Sequence, residues 1–500
     1  MLDAMIELTE LTRGKNVFIW GTGALSRRIS RFLSVPIHAY VDNNSAAWHG
    51  DAGSASVNPP DRRRVEDPRR TIVIVASQRW NEIAPQLAEM GFRHRESVID
   101  SSELILIDGA FSHVSSENSI PVPAAHRSSE EWIYSRREEN KEQPEDRLPR
   151  ILSRVQARPI RFPDSVTIDD EQHWYIRKSA TEFSECRSYH VCSIPGARIF
   201  GEAGEIISPD GVLLEDLSAD YYRPVSQREI MMRAGLPKPA YFDLNMAVAS
   251  TPGGDNYFHW LKDVLVRLFL YKDLDLPVDR FVINYQGAAF QDQLLRMLHI
   301  PTDKIIGSAV DLHLAARTIY RASPVEDIPY LRGKLARLMD TCLDPVNSGA
   351  SSPKRRIYIS RAKSRYRHIQ NESAVFELLR GRFGFEMIFS EDLSVREQAR
   401  IFNEAEIVVG AHGANLTNTL FCRPGCVLLE FFHPEWVNIC YWRLAHEGGL
   451  VYGYLMGEGD VSEQGEDRFF ERPGMAFEGF TVDTAKLERL LEKVMSHADL

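Results

Sequence analysis

The chain has 500 residues, enough for about three domains with sizeable cores, and its 44% hydrophobic and 26% charged content are those of a globular protein. A net charge of −11 argues against general nucleic-acid binding, which needs a basic face. There is no run of about 18 apolar residues to span a membrane, and the first residues lack the basic-then-apolar order of a secretion signal. The expected location is therefore the cytoplasm, with any contact at an inner membrane peripheral.

Asn16 to Trp20 forms the first strand-like run, followed by Gly21-Thr22-Gly23-Ala24-Leu25-Ser26 and a helical spacing from Leu25 to Leu33. Tyr40-Val41-Asp42 closes a second strand. This is close to a dinucleotide fingerprint, with Ser26 in place of the third glycine and Asp42 positioned for a ribose. Thr71 to Ser77 reads as a buried parallel strand, Asn81 to Gly91 as a helix and Ser97 to Asp100 as a last strand. Residues 1–108 thus read as a small Rossmann-like domain, with Gly21, Gly23 and Asp42 as its candidate nucleotide ligands. A structural or protein-contact role stands beside that reading, because no Tyr-x-x-x-Lys or other hydride-transfer base accompanies it.

Residues 109–164 turn polar, charged and Pro-interrupted, and read as a linker with one short helix near Glu130–Glu139. Short β segments follow, with Pro209-Asp210-Gly211 at a hairpin turn.

In Asp255-Asn256-Tyr257-Phe258-His259-Trp260-Leu261-Lys262-Asp263, either Asp255 or Asn256 can cap a helix. His259 and Asp263 are four residues apart and share a face. Asp273 and Asp275 form an Asp-x-Asp, but directly before Pro277 this reads as a solvated loop, and no essential metal is expected. Strand and helix then alternate to Met339, and residues 347–353 read as a hinge.

Arg356 to Arg361 is a strand that delivers the basic cluster Arg361, Lys363, Arg365 and Arg367, and Asn371 and Glu372 open the next helix. Arginine presents a fixed fork to phosphate oxygens, although a solvated basic loop has the same composition. Ser394 caps an amphipathic helix. Ile407-Val408-Val409 then forms a buried strand that ends at Gly410-Ala411-His412-Gly413-Ala414. A helical segment from Ala414 to Phe421, a break at Pro424-Gly425 and the strand Val427-Leu428-Leu429 ending on Glu430 complete the unit. Strand, Gly-rich turn, helix N-terminus, strand and acid outline a nucleotide diphosphate site. Cys422 and Cys426 have C-x₃-C spacing with no second pair to complete a zinc site, and the six cysteines read as buried reduced thiols.

The stretch GAHGANLTN with F-x-x-P-G-x-x-x-x-E resembles the signature of glycosyltransferase family 61. NYFHWLKDVLVRL and IYISRAKSRYRHIQNE resemble that family's His-x-x-x-Asp helix and its strand-Ser-Arg…Arg…Asn-Glu segment. The three segments stand in the family's order within about residues 180–460. The resemblance implies an α/β protein of GT-B type, two Rossmann-like halves facing a cleft, here preceded by the small Rossmann-like domain. Residues 165–346 would form the acceptor half and 347–500 the nucleotide-sugar half.

It further implies inverting, metal-independent transfer of a sugar, with no cofactor, from a nucleotide sugar. A UDP-linked donor is the first expectation, and the acceptor is a hydroxyl of a polysaccharide or lipid-linked oligosaccharide in capsule, exopolysaccharide or lipopolysaccharide synthesis. Asp263 or His259 would be the base. Arg361, Arg367, His412, Gly413, Ala414, Asn415, Asn418 and Glu430 would bind the donor, with Glu430 on ribose hydroxyls. Asn415 stands where the family commonly has Gly. Tyr-Val-Asp-Asn-Asn followed by Val-Asn-Pro-Pro resembles small Rossmann-like domains appended to bacterial polysaccharide-modifying enzymes. The alternative function is a non-catalytic sugar-nucleotide-binding assembly protein, and a homo-oligomer is left open.

Overall fold

The structure is a computed structural model. It describes residues 14–21, 37–43, 51–52, 55–60, 68–75, 80–93, 97–100, 104–107, 110–113, 119–123, 125–168, 172–218, 225, 228–232, 236–310, 312–342, 355–364, 366–434, 436–459 and 479–498. The chain divides into two compact units. The first is built from residues 1–128, 195–243 and 308–317, the second from 129–194, 244–307 and 318–500.

The first unit opens with a six-stranded sheet. Its strands are β1 Asn16–Trp20, β2 Ile37–Val41, β3 Asp51–Ala52, β4 Ala55–Asn58, β5 Thr71–Val75 and β6 Val98–Asp100, in the order β3-β4-β2-β1-β5-β6. Every pairing except β3 with β4 is parallel. β5 is buried along its whole length, as a run of Thr, Ile and Val in a sheet covered on both faces requires. The helix Trp80–Glu89 places Ile83 and Leu87 on the core formed by Phe18, Trp20, Val73 and Val75. Gly21 follows β1 at φ +114°, a backbone open to glycine, and its N–H bonds Val41 O at 2.7 Å. Gly23, Ser26 and the expected helix from Leu25 to Leu33 lie outside the described residues. In the same unit, Glu205–Ile207 and Val212–Leu214 are antiparallel around the expected Pro209-Asp210-Gly211 turn, where Gly211 has φ +84°.

In the second unit, Met246, Ala247 and Val248 pair in parallel with the strand Arg280–Ile283, which pairs with Ile305–Gly307. The stretch expected as linker holds the helix Ser129–Glu139 and the strand Arg150–Val155, the latter antiparallel to Tyr189–Pro195. Its apolar residues, the adjacent Ile151 and Leu152 and then Val155 among Arg and Ser, do not alternate, so periodicity does not mark this strand.

A second sheet of this unit is wholly parallel, in the order Glu386–Ile388, Arg355–Ile359, Ala405–Ala411, Val427–Phe432, Val451–Met456. Its central strands carry Ile407, Val409, Leu428 and Leu429, all fully buried. The helices Glu372–Phe383, Val395–Asn403, Cys440–Glu447 and Thr484–His497 contribute Leu379, Phe402, Leu444 and Leu491 to its cores. Ser394 caps its helix as expected, in a reciprocal box with Glu397. The expected hinge at 347–353 lies outside the described residues. The unit is therefore mixed α/β with parallel sheets, and loops at the carboxyl ends of its strands carry the candidate site. Among the described residues no helix is long and apolar enough to cross a membrane.

Candidate functional site

The helix expected from Asp255 onward is capped by Asn256, whose side-chain oxygen accepts from Phe258 N at 2.9 Å. One α turn, Tyr257–His259, gives way to a π-helical stretch, Trp260–Leu265, before α-helix resumes over Val266–Asp273. Such insertions cluster at functional sites because they re-aim side chains within a continuous helix. Here the π stretch carries Lys262 and the fully buried Asp263.

Asp263 Oδ2 lies 2.8 Å from His259 Nδ1, and Oδ1 lies 3.2 Å from Lys262 Nζ. Burial opposes ionisation of Asp263. Lys262, the His259 hydrogen bond and Arg267 outweigh it and hold the carboxyl well below the ordinary range. An acid held ionised with both oxygens engaged is a poor proton acceptor but a good anchor. It fixes His259, whose side chain is 21% exposed, with its other nitrogen directed away from the anchor. An imidazole oriented by a buried carboxylate has the chemistry of a general base.

The loop that supports His259 is pinned by Asn284. Its Oδ1 accepts from Thr251 N at 2.8 Å, and its carbonyl accepts from Trp260 Nε1 at 2.9 Å. A Cβ at Gly254 would collide with the Asn284 amide, and one at Gly253 would stand 3.2 Å from His259 Cδ2. Both glycines are needed for this close approach.

Arg361 follows the strand Arg355–Ile359 and is 8% exposed. Its guanidinium donates to the Tyr366 carbonyl, with Nη2 at 2.9 Å, and packs onto Gly413 where a Cβ would otherwise stand. No carboxylate among the described residues lies within ion-pair reach of it. Burial, and then Arg367, lower its pKa to about 10, so it stays charged at neutral pH. Arg367 adopts φ +57° and lays its guanidinium over Trp436, 5.0 Å from the ring centre. Lys363 points elsewhere, paired with Asp392. Asn371 is tied to Val482, while Glu372 accepts from Tyr358 and Ser360 and so holds the strand end below Arg361. Arg365 lies outside the described residues.

The Gly-rich turn follows the strand Ala405–Ala411, and the segment Ala414–Phe421 is 3₁₀ rather than α-helical. His412 is buried, with Nδ1 on Glu430 and Nε2 4.0 Å from Cys440 Sγ. Asn415 Nδ2 donates to Glu391 at 3.0 Å. Asn418 is fully buried: its oxygen accepts from Tyr257 OH at 2.7 Å and its amide donates to Gln398 at 2.6 Å. It ties the turn to the helix instead of facing a ligand. Glu430 lies within the strand Val427–Phe432, not at its end, and is fully buried between His412 and Tyr452. That placement takes its carboxyl away from a ribose.

These groups come together. Phe258, beside His259, packs edge-on against Tyr441 at 5.5 Å, and Tyr441 lies 4.9 Å from His412. Lys262 and Arg367 both act electrostatically on Cys440. Trp436, Cys440 and Tyr441 lie beside these groups and no motif marked them, while Lys262 stands inside the His-x-x-x-Asp segment at a position that pattern leaves open. The only trace was an aromatic cluster soon after Glu430. Asp273 and Asp275 are exposed, and Asp273 bonds Tyr330 and Lys334. Gly21 and Asp42 belong to the other unit.

The sequence model of the family described as Glycosyltransferase 61 matches residues 257–429. That span holds His259, Asp263, Arg361, Arg367 and His412 to Asn418, and stops one residue before Glu430. The EGF domain-specific O-linked N-acetylglucosamine transferase of Drosophila melanogaster is 28% identical over 149 residues, 28% of this chain and 28% of that protein. The proteins of the same description from Rattus norvegicus and Gallus gallus are each 30% identical, over 108 and 114 residues. Those alignments cover 21% and 22% of this chain and 20% and 21% of the relatives. The chain thus matches less than a third of each relative's length.

Proposed function

We propose that this chain, which carries a glycosyltransferase 61 domain over residues 257–429, is an inverting, metal-independent glycosyltransferase. It moves a sugar from a nucleotide donor, UDP-linked, to a hydroxyl of a polysaccharide or lipid-linked oligosaccharide. The observation that carries this reading is the buried, charged guanidinium of Arg361, packed on Gly413 and without an ion pair among the described residues, Glu391 acting on it only at longer range. A cation desolvated without a paired counter-anion is costly unless a ligand supplies one. A diphosphate does so, and the activity for which the relatives are named, transfer of N-acetylglucosamine, supports a sugar nucleotide as its source.

In this reading residues 165–346 form the acceptor half and 347–500 the donor half of a GT-B arrangement. His259 takes the proton of the attacking hydroxyl, and Asp263 positions it. The acceptor oxygen bonds the anomeric carbon as the bond to the β-phosphate oxygen breaks. Arg361 and Arg367 receive the negative charge that leaves with the diphosphate. Gly413, Ala414 and Asn415 shape the turn beneath it.

The test is release of nucleotide from a panel of UDP-, GDP-, CMP- and dTDP-sugars, with and without chelator. Turnover of one donor, unaffected by chelator and lost in Arg361→Ala, is expected. Binding of UDP with no turnover in the presence of glycan acceptors would favour an assembly protein.

A further inference from the structure

Glu430 and Tyr452 have no place in the reaction just described, yet they form the most enclosed polar contact in the site. Tyr452 pairs with Leu428, two positions before Glu430, so both side chains leave the same face of the sheet. Tyr452 OH donates to Glu430 Oε2 at 2.6 Å, and Oε1 faces His412 Nδ1. Both carboxyl oxygens are thereby used inside the protein.

His412 is held equally firmly. Its N–H bonds Phe431 O at 3.0 Å. Its ring is flanked by Trp436 edge-on at 4.7 Å, Tyr441 at 4.9 Å and Phe432 stacked at 5.7 Å. Among the described residues, its Nε2 has no protein partner closer than the Cys440 thiol at 4.0 Å.

We propose that Glu430, backed by Tyr452, is a positioning and proton-storing residue that lets His412 become a cation as the leaving diphosphate gains charge. This rests on the donor reading of the Arg361 site. In the resting state one proton lies between Glu430 Oε1 and His412 Nδ1, and the pair carries no imidazolium. Burial, Arg367 and Arg361 all oppose a positive His412, and burial raises Glu430 well above the carboxylate range. When a phosphate oxygen accepts from Nε2–H and becomes more negative, the stored proton moves from Oε1 to Nδ1. Imidazolium then faces the leaving group, and the carboxylate left behind keeps its hydrogen bond from Tyr452. No proton is gained or lost; one is moved along a single hydrogen bond, and a third positive charge joins the two arginines only when it is needed. The arrangement reverses the usual His-acid pair, in which the acid stays ionised throughout.

The test follows the ring nitrogens of His412 by NMR of ¹⁵N-histidine-labelled full-length protein, assigned with His412→Asn, before and after UDP or inorganic pyrophosphate. In the wild type both nitrogens are expected to move toward imidazolium shifts on binding. In Glu430→Gln, which keeps the shape but cannot give up a proton, they stay neutral. UDP affinity in that variant remains within about threefold of wild type, while donor turnover falls about 10²-fold, the scale of one general acid. UDP binding with unchanged His412 nitrogens overturns the relay and leaves the donor site standing. A tenfold or larger loss of UDP affinity in Glu430→Gln, with pyrophosphate affinity intact, overturns it in favour of a ribose contact. Failure of the wild type to bind either ligand overturns both readings.

Discussion

The guanidinium of Arg361 fills the space that a side chain would need at Gly413. The turn is extended at Gly413, with φ 175°, so glycine is there for room and not for backbone freedom. Gly413→Ala therefore displaces Arg361 without straining the chain. The expected result is UDP binding weakened about tenfold or more, as when one charge-assisted contact of about 1.5–3 kcal/mol is lost. Thermal melting, which reads the fold, should change little.

His259 and Asp263 separate by role. Alanine at His259 is expected to lower transfer about 10²–10⁴-fold, the contribution of a positioned base, with UDP affinity unchanged. Asp263→Asn is expected to lower transfer and also stability, by about 3–5 kcal/mol, because Lys262 and Arg267 lose their buried counter-charge. Steady-state transfer kinetics, calorimetry and denaturant unfolding distinguish the two patterns.

Tyr257 and Asn418 join the base-bearing helix to the Gly-rich turn through a 2.7 Å hydrogen bond. Tyr257→Phe leaves the Asn418 oxygen unsatisfied in a buried position. A loss of about 1–3 kcal/mol in unfolding free energy is expected, measured by urea titration. No loss would mean that Asn418 finds another donor.

Two groups on the helix Cys440–Glu447 and its end give opposing pH dependences. Burial raises the Glu447 pKa from 4.5 to about 7, so the folded state holds more protons than the unfolded state and stability falls as pH rises through that window. Burial lowers His446 from 6.5 to about 4, so stability rises over nearly the same window. The two largely cancel in the wild type. Glu447→Gln removes the falling part. Its melting temperature relative to wild type is therefore expected to climb from pH 4.5 to pH 7, and a constant difference would contradict the assignment.

Much of the fold and of the site was legible in the residues because the signals are local. Ile407 to Val409 and Thr71 to Val75 announce buried parallel strands by apolar content alone. Asn256 and Ser394 announce helix starts, and the four-residue spacing of His259 and Asp263 gives a shared face. Glu430 was misplaced because an acid after Val-Leu-Leu looks like a strand end. The two phenylalanines that follow it carry the strand on, and an acid between apolar neighbours on both sides was the available sign of burial. Its partner Tyr452 lies on the next parallel strand, and such pairing leaves no trace at short range. The π-helical stretch, the position of Cys440 beside His412 and the strand Arg150–Val155 likewise depend on tertiary contacts that spacing does not encode.

The most direct measurement is calorimetric titration of UDP into wild type and Arg361→Ala at matched salt. The account predicts saturable one-to-one binding by the wild type and a loss of tenfold or more in the variant, with the melting temperature preserved. Equal affinity in the two proteins would contradict the placement of the diphosphate on Arg361 and Gly413, and with it the proposed donor site.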